Sequence, residues 1–361
     1  MRIGIDGSRA FLKQRTGIEE YSYQVIKNLR GKFKRHYVTL YLRPGQAVDL
    51  ALPENWRIKR INPPFFWTQI GLSRELLVHP VDALFIPGHT APLFHPKNTV
   101  VTVHGLEYEL MPEAYSAWER FYMRFSIRNS CRWARKIVSV SRNTRQDLMA
   151  LYDIPEEKIN IVYEGYEKKI QEEVPVDEKV EHEPYFLFIG RLERRKNIEG
   201  IVESFNLFKE RYQTEHKLVL GGKFGYGGED IQVCINRSRF KRDIVLLGFV
   251  DEQTKWRLFR RATLFLFPTL YEGFGLPVLE AQSRGIPVIT SNVSSLPEIT
   301  NGSAVLVDPK EPEMICEALR SLAMPDGAKL RAELVVKGHE NVKRFSWENC
   351  AGVIARILTD N

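Results

Sequence analysis

No stretch of this chain approaches the roughly 18 consecutive apolar residues that a membrane-crossing helix needs, so no transmembrane segment is expected. Cysteine is scarce. Cys131, Cys234, Cys316 and Cys350 lie far apart and form no CxxC pair. That pattern suits neither a disulfide framework nor a zinc site, and free thiols are expected. There is no GxGxxG and no GxxxxGKS/T, which disfavours a plain NAD site and a P-loop. No helix-turn-helix, RNA-recognition or zinc-finger pattern occurs, so nucleic acid is not an expected partner. The start, Met1-Arg2-Ile3-Gly4-Ile5-Asp6-Gly7, has no apolar run after its arginine and reads as a short strand ending in a turn. A signal peptide is therefore not expected, and a cytoplasmic location is. Finally, no Asp-x-Asp appears anywhere.

What is present is a globular composition. The 361 residues are 43% hydrophobic and 27% charged, long for one core and comfortable for two. Charge is unevenly placed. Residues 1–170 hold 26 Lys+Arg against 17 Asp+Glu, a net +9, whereas the rest hold 26 against 28, a net −2. The first half is thus suited to an anionic partner such as a membrane surface or a phospholipid-linked molecule.

Short apolar strands alternate with longer helical patterns. Val38–Leu42, Ala83–Ile86, Val100–Val103 and Lys136–Val140 read as buried parallel strands, with helices over Ile18–Leu29 and Trp118–Trp133. An acidic, proline-containing stretch at 171–184 reads as a linker. The alternation then restarts at Tyr185–Ile189, Lys217–Leu220, Ile244–Leu247, Thr263–Phe267 and Pro287–Thr290, with helices over 197–212, 251–261, 277–284 and 311–323. The expected fold is α/β, two Rossmann-like domains with parallel sheets, residues 1–170 and 185–345. Ligands of such sheets sit beyond the carboxyl ends of the strands, and a crevice between two domains is the default site.

Candidate chemistry falls just after those strands. The segment Tyr271-Glu272-Gly273-Phe274-Gly275-Leu276-Pro277-Val278-Leu279-Glu280 places two carboxylates eight positions apart around a turn that opens a helix. Helix-start N–H groups attract phosphate, and carboxylates accept hydrogen bonds from vicinal hydroxyls. A nucleotide-sugar carries both. Arg191 and Lys196 follow the first strand of the second half, with Asn197 placed to cap the next helix. Two cations there would clamp a diphosphate, or form an ordinary solvated turn. Without Asp-x-Asp, the diphosphate would be neutralised by Arg191, Lys196 and helix dipoles, with no metal and no cofactor expected. In the first half, His104 follows a strand and is either a donor to a sugar hydroxyl or a structural turn histidine. Gly17 opens the first helix, where a backbone N–H could approach a phosphate closely. Gly222 and Val250 lie in loops that could cradle a base.

Arg120, Arg124, Arg128, Arg132 and Lys136 recur every four residues on a helix that also carries Trp118, Phe121, Tyr122 and Phe125. Such a helix either lies on anionic lipid or presents a solvated basic face above an aromatic core contact. Pro63-Pro64-Phe65-Phe66-Trp67 is apolar and loop-like, suited to an acceptor, a membrane or the core.

Taken together, the motifs resemble retaining glycosyltransferases of the GT-B fold, family 4, and among them mannosyltransferases of bacterial surface polysaccharides. The resemblance rests on Gly190-Arg191-Leu192 with Arg195-Lys196-Asn197, on the segment 268–281, and on Gly285-Ile286-Pro287-Val288-Ile289 with Leu296-Pro297-Glu298. Thr102-Val103-His104-Gly105, Val140-Ser141-Arg142-Asn143-Thr144 and Val162-Tyr163-Glu164-Gly165 match in the first half. It implies that Glu272 contacts the transferred sugar and that Gly273, Phe274, Gly275 and Leu276 hold sugar and phosphate through their backbone. It also implies that Glu280 takes the ribose hydroxyls and that Arg191 and Lys196 grip the diphosphate. Gly17 would approach the phosphates, His104 the sugar near the reacting carbon, and Gly222 and Val250 the base. A closing helix at 346–361 would cross back onto the first domain. The implied partners are a nucleotide-sugar donor, with GDP-mannose favoured, and a glycan or polyprenyl-linked acceptor. The location implied is cytoplasmic, with a peripheral association at the inner face of the membrane. A nucleotide-sugar 2-epimerase and a non-catalytic sugar- or lipid-binding protein are the alternatives.

Overall fold

The computed structural model describes residues 1–15, 17–62, 66–166 and 183–360. The chain divides into two compact units. One comprises Met1–Leu110, Ser116–Gly165 and Phe345–Asn361, the other Met111–Tyr115 and Tyr166–Arg344. Thr16, Pro63-Pro64-Phe65 and positions 171–182 of the linker reading lie outside the described residues.

In the first unit the order is β1 (Arg2–Asp6), α1 (Gly17–Leu29), β2 (Tyr37–Leu42), β3 (Trp56–Arg60), α2 (Ser73–Val78), β4 (Ala83–Ile86), β5 (Asn98–Val103), α3 (Glu107–Leu110), α4 (Ala117–Trp133), β6 (Lys136–Ser139), α5 (Arg142–Tyr152) and β7 (Ile159–Ile161). Among the described residues the sheet has seven strands in the order β3-β2-β1-β4-β5-β6-β7, all parallel. A parallel sheet is covered on both faces, so its central strands are apolar throughout. Accordingly Ala83–Ile86 is buried at every position.

The second unit holds β8 (Tyr185–Ile189), α6 (Ile198–Tyr212), β9 (Lys217–Gly221), α7 (Gly228–Arg237), β10 (Ile244–Gly248), α8 (Glu252–Arg261), β11 (Leu264–Phe267), α9 (Leu276–Ser283), β12 (Val288–Ser291), α10 (Leu296–Thr300), β13 (Val305–Val307), α11 (Pro312–Ala323) and α12 (Ala328–Val342). Its six described strands run β10-β9-β8-β11-β12-β13, again parallel. Phe186, Phe188, Phe205, Phe208, Phe265 and Phe267 fill the space between sheet and helices. Each such side chain contributes about 1.5–3 kcal/mol by leaving water.

The last helix, α13 (Trp347–Thr359), belongs to the first unit, where it packs against α1, β4 and β5. It opens on Ser346, whose hydroxyl accepts the Asn349 N–H, and it buries Ile354 and Leu358. Trp347 meets Tyr21 of α1 edge to face at 5.9 Å. All four cysteines are free thiols. Among the described residues no helix is long and apolar enough to cross a membrane.

The helix α4 differs from the sequence reading in which side faces out. Ser116 and Glu119 cap it reciprocally, the Ser116 hydroxyl accepting Glu119 N–H at 3.2 Å and the Glu119 carboxylate accepting Ser116 N–H at 3.0 Å. The helix buries only small or short-sided residues, Ser126, Ile127, Ser130 and Cys131. Its aromatics are outside: Trp118 is 73% exposed and Phe125 60%, and Phe121 stacks on both at 5.9 and 6.4 Å. Two of the arginines are tied to neighbouring elements. Arg124 makes a two-pronged ion pair with Glu109 of α3, and Arg128 lies 5.9 Å above the Tyr152 ring. The aromatic core contact is therefore absent; Arg124 and Arg132 are exposed as well, and Lys136 lies on β6 rather than on the helix.

Candidate functional site

In the second unit the charged site is built at the carboxyl edge of β8 and β11. The loop after β8 carries Gly190 to Asn197, and the loop after β11 carries Pro268 to Gly275. Asn197 fastens them. Its backbone sits in the left-handed region, φ 58°, and its side chain makes no cap bond. The amide instead donates to the carbonyls of Pro268 at 3.0 Å and Pro309 at 2.6 Å. The expected helix cap is thus a loop tie, because that left-handed geometry turns the amide away from the helix and toward the neighbouring loops.

Held this way, Glu272 enters between two cations. Its carboxylate accepts from the Lys196 ammonium and, at 3.2 Å, from the Arg195 guanidinium. Arg195 also donates to Glu193 at 2.9 Å and to the Tyr271 carbonyl at 3.0 Å. Lys196 and Glu272 are both buried. Burial alone would raise the Glu272 carboxyl, but the charges of Lys196 and Arg195 outweigh it and hold it below its usual value. Burial and the neighbouring Arg195 push the Lys196 ammonium down, against the pull of Glu272. Two serines that the sequence reading missed shape the loop. Ser294 accepts the Glu272 N–H at 3.1 Å, and Ser295 donates to the carbonyls of Glu272 and Phe274 at 2.9 and 2.8 Å. Gly275 takes φ 113° and starts α9, and a Cβ there would lie 2.8 Å from the Leu296 side chain. Phe274 is buried, while Gly273 and Leu276 remain partly exposed at the helix start.

The two carboxylates of the segment are separated in the structure and given different cations. Glu280, on α9, accepts from Lys255 of α8 at 2.7 Å, and Lys255 also pairs with Glu252 at 2.9 Å. Although burial opposes it, those two carboxylates raise the Lys255 ammonium above its usual value. Arg191 differs from both. It is exposed and has no hydrogen-bond or ion-pair partner among the described residues. Gly222 lies at the end of β9, where its N–H donates to the Gly248 carbonyl at 2.7 Å. A Cβ at Gly222 would fall 1.8 Å from the Gly190 oxygen, so only glycine fits. Val250 packs beside it, its side chain 2.8 Å from where a Gly221 Cβ would stand.

The first unit holds the remaining candidates. Gly17 is exposed at the start of α1, with open space where a side chain would project. His104, at the end of β5, is nearly enclosed. One ring nitrogen lies 2.8 Å from the Pro87 carbonyl and the other 3.4 Å from the Glu164 carboxylate. Both its nitrogens therefore face protein acceptors. Glu164, quoted in the sequence only as part of a matching stretch, supplies one of them.

The second half of the chain, residues 169–340, matches the family model "Glycosyl transferases group 1", and residues 15–169 match "Glycosyltransferase Family 4". The chain is 30% identical over 261 residues to the O-antigen chain mannosyltransferase B of Escherichia coli, covering 70% of this chain and 68% of that protein. It is 23% identical over 274 residues to the O-antigen chain mannosyltransferase RfbU of Salmonella typhimurium, covering 76% and 72%. Among solved structures it resembles Anabaena HepE in complex with UDP and glucose, with a TM-score of 0.72, 15% identity and complete coverage of both chains.

Proposed function

Because this chain belongs to the family 4, group 1 glycosyltransferases, we propose that it moves a hexose from a nucleotide-sugar to a hydroxyl of a glycan or lipid-linked acceptor, in surface polysaccharide or glycolipid synthesis. The observation that carries this is the Glu193–Arg195–Glu272–Lys196 network beside the start of α9. A carboxylate fixed by two cations is a preorganised acceptor for vicinal sugar hydroxyls. The helix start next to it favours phosphate. Mannose from GDP-mannose is the donor we favour, since two relatives are named mannosyltransferases.

Breaking the anomeric C–O bond leaves positive charge on the sugar and negative charge on the diphosphate. Arg191, exposed and unpartnered, is free to meet that negative charge, and Lys196 lies five residues along the same loop. Fixed cations aimed at a developing charge lower the barrier without reorganising. Glu272 then orients the transferred sugar, and Glu280 with Lys255 takes the nucleotide ribose. In this reading the acceptor hydroxyl attacks the face that the diphosphate leaves and gives its proton to the departing diphosphate, so configuration is retained. The diphosphate's charge is balanced by side chains and helix dipoles, without a metal. We assign the aromatic face of α4 to the inner surface of the membrane, where exposed Trp118, Phe121 and Phe125 suit the headgroup boundary and the basic first half suits anionic lipid.

A melting screen against GDP-, UDP- and ADP-sugars tests the donor assignment, since a ligand that binds only the folded chain raises the midpoint. GDP-mannose is expected to give the largest rise. No shift with any of them would remove the nucleotide-sugar reading. Incubating GDP-mannose without acceptor separates the epimerase alternative, which would release an isomeric nucleotide-sugar.

A further inference from the structure

Among the described residues, His89 is the one histidine at the carboxyl edge of the first sheet that is left without a hydrogen bond. It follows β4, whose neighbour β5 ends at His104, and the two rings stand 6.5 Å apart, edge to face. Everything around His89 in its loop is tied. The Pro87 carbonyl is taken by His104 at 2.8 Å. Thr90 accepts from Ser126 at 3.1 Å, and Ala91 is held by the Ser130 hydroxyl at 2.8 Å and by Gln69 at 3.0 Å. His89 itself makes no hydrogen bond among the described residues, although its Nδ1 is fully enclosed. Buried polar atoms are nearly always paired, and an unpaired one costs stability. The sealed Nδ1 offers no surface to a ligand, so a partner would reach the half-buried ring through Nε2, which this anchored loop holds in place.

The chemistry of that missing partner is constrained. Burial, with Arg9 and His104 alongside, pushes His89 down to about 3, so the ring is a neutral imidazole. Arg9 crosses directly over the neighbouring Gly88, whose Cβ would stand 3.6 Å from the Arg9 stem, and its charge is partly met by Glu19 at 3.5 Å. A neutral ring beside a cation has little to offer a second cation. It cannot turn cationic to hold an anion without burying an unpaired N–H. A hydroxyl, which both donates and accepts, suits either tautomer of the ring. His104 is less available for that purpose, because both its nitrogens already face Pro87 and Glu164.

We propose that His89 binds a hydroxyl of the acceptor sugar and so helps to select and position the acceptor. This rests on the transferase reading above. The residues assigned there to the donor's charged groups, Arg191, Lys196, Glu272 and Glu280, belong to the second unit, whereas His89 belongs to the first and stands beside His104, for which the family resemblance implies a place near the reacting carbon that the acceptor hydroxyl attacks.

The test uses the full chain with GDP-mannose, a panel of octyl glycosides as acceptors, and the variants His89→Ala and His89→Phe. Loss of one hydrogen bond to a neutral hydroxyl is expected to lower kcat/KM for the acceptor about tenfold, while the KM for GDP-mannose stays within twofold. Melting of His89→Phe should be unchanged or higher, because an unpaired enclosed nitrogen is removed; a histidine kept for packing would give a lower melting point. One monodeoxy acceptor should discriminate strongly in the wild type and not at all in His89→Ala. Acceptor kinetics within twofold of wild type in both variants would overturn the inference, as would an effect confined to the donor. A wild-type chain that transfers to no member of the panel would instead overturn the transferase reading and the inference with it.

Discussion

The carboxyl edges of the two sheets solve recognition differently. The second is ionic and paired: Glu272 sits between Lys196 and Arg195, and Glu280 beside Lys255. The first is built of imidazoles, with His104 held by Glu164 and Pro87, and His89 without a hydrogen bond among the described residues. Paired charges suit a ligand that carries a diphosphate and leaves with it. An unpaired neutral ring suits one that offers only hydroxyls. The difference also predicts where stability and function conflict. Removing a paired charge from the second edge damages both, whereas altering His89 in the first should cost function alone.

The largest effect is expected at Glu272. In Glu272→Ala the buried Lys196 loses its carboxylate and the half-buried Arg195 loses one of two among the described residues, and stranding a buried charge costs about 3–5 kcal/mol. Urea unfolding should show that loss, and transfer should fall at least about a thousandfold. A variant as stable and active as wild type would break the comparison outright. The same pair sets a pH signature. Because the folded state holds the Glu272 carboxyl below its usual value, its stabilisation is present above the unfolded-state value and fades as pH falls through the folded one. Glu272→Gln should therefore flatten the acid limb of the stability curve.

Next comes Lys196→Ala, expected to lower kcat by about a hundredfold to a thousandfold; full activity in the purified variant would end its leaving-group role. Arg191→Ala sharpens the contrast within one loop. Being exposed and unpartnered, it should leave melting unchanged while reducing kcat/KM for the donor about tenfold or more. The smallest effect on the isolated enzyme is expected on α4. Replacing Trp118, Phe121 and Phe125 together by Ser should leave melting and turnover of a water-soluble acceptor intact. Binding to vesicles containing anionic phospholipid should fall about tenfold or more, as apolar area leaves the interface. Equal vesicle binding would remove the membrane assignment.

Much of the fold was legible because buried parallel strands are short apolar runs and helices keep their period. Tyr185–Ile189 and Ala83–Ile86 were read to the residue. The edge strand Trp56–Arg60 was missed because its alternating charges imitate a loop, and Ile159–Ile161 and Val305–Val307 because three residues carry too little pattern. Helices Arg142–Tyr152, Gly228–Arg237 and Ala328–Val342 were also missed, their apolar faces being narrow among many polar residues. In the second unit the loops bearing Arg191, Lys196 and Glu272 were legible as motifs. Arg195 was legible only as a member of its motif, without its pairing to Glu272, and the serines that shape the Glu272 loop were not legible, since nothing in their spacing marks them.

Along the chain, then, local order determined the strands, the helix starts and the identity of the charged groups, because those depend on neighbours within a few residues. Which charges pair was decided only by the tertiary structure. Lys196 and Glu272 lie 76 positions apart, and Asn197, expected to cap a helix, was drawn into tying loops more than 70 positions away. The outward turn of the α4 aromatics was likewise a tertiary outcome, because the helix packs down through Ser126, Ile127, Ser130 and Cys131 instead. His89 belongs to the same class: a histidine after a strand is visible in any sequence, but its lack of a partner exists only once every neighbour has found one.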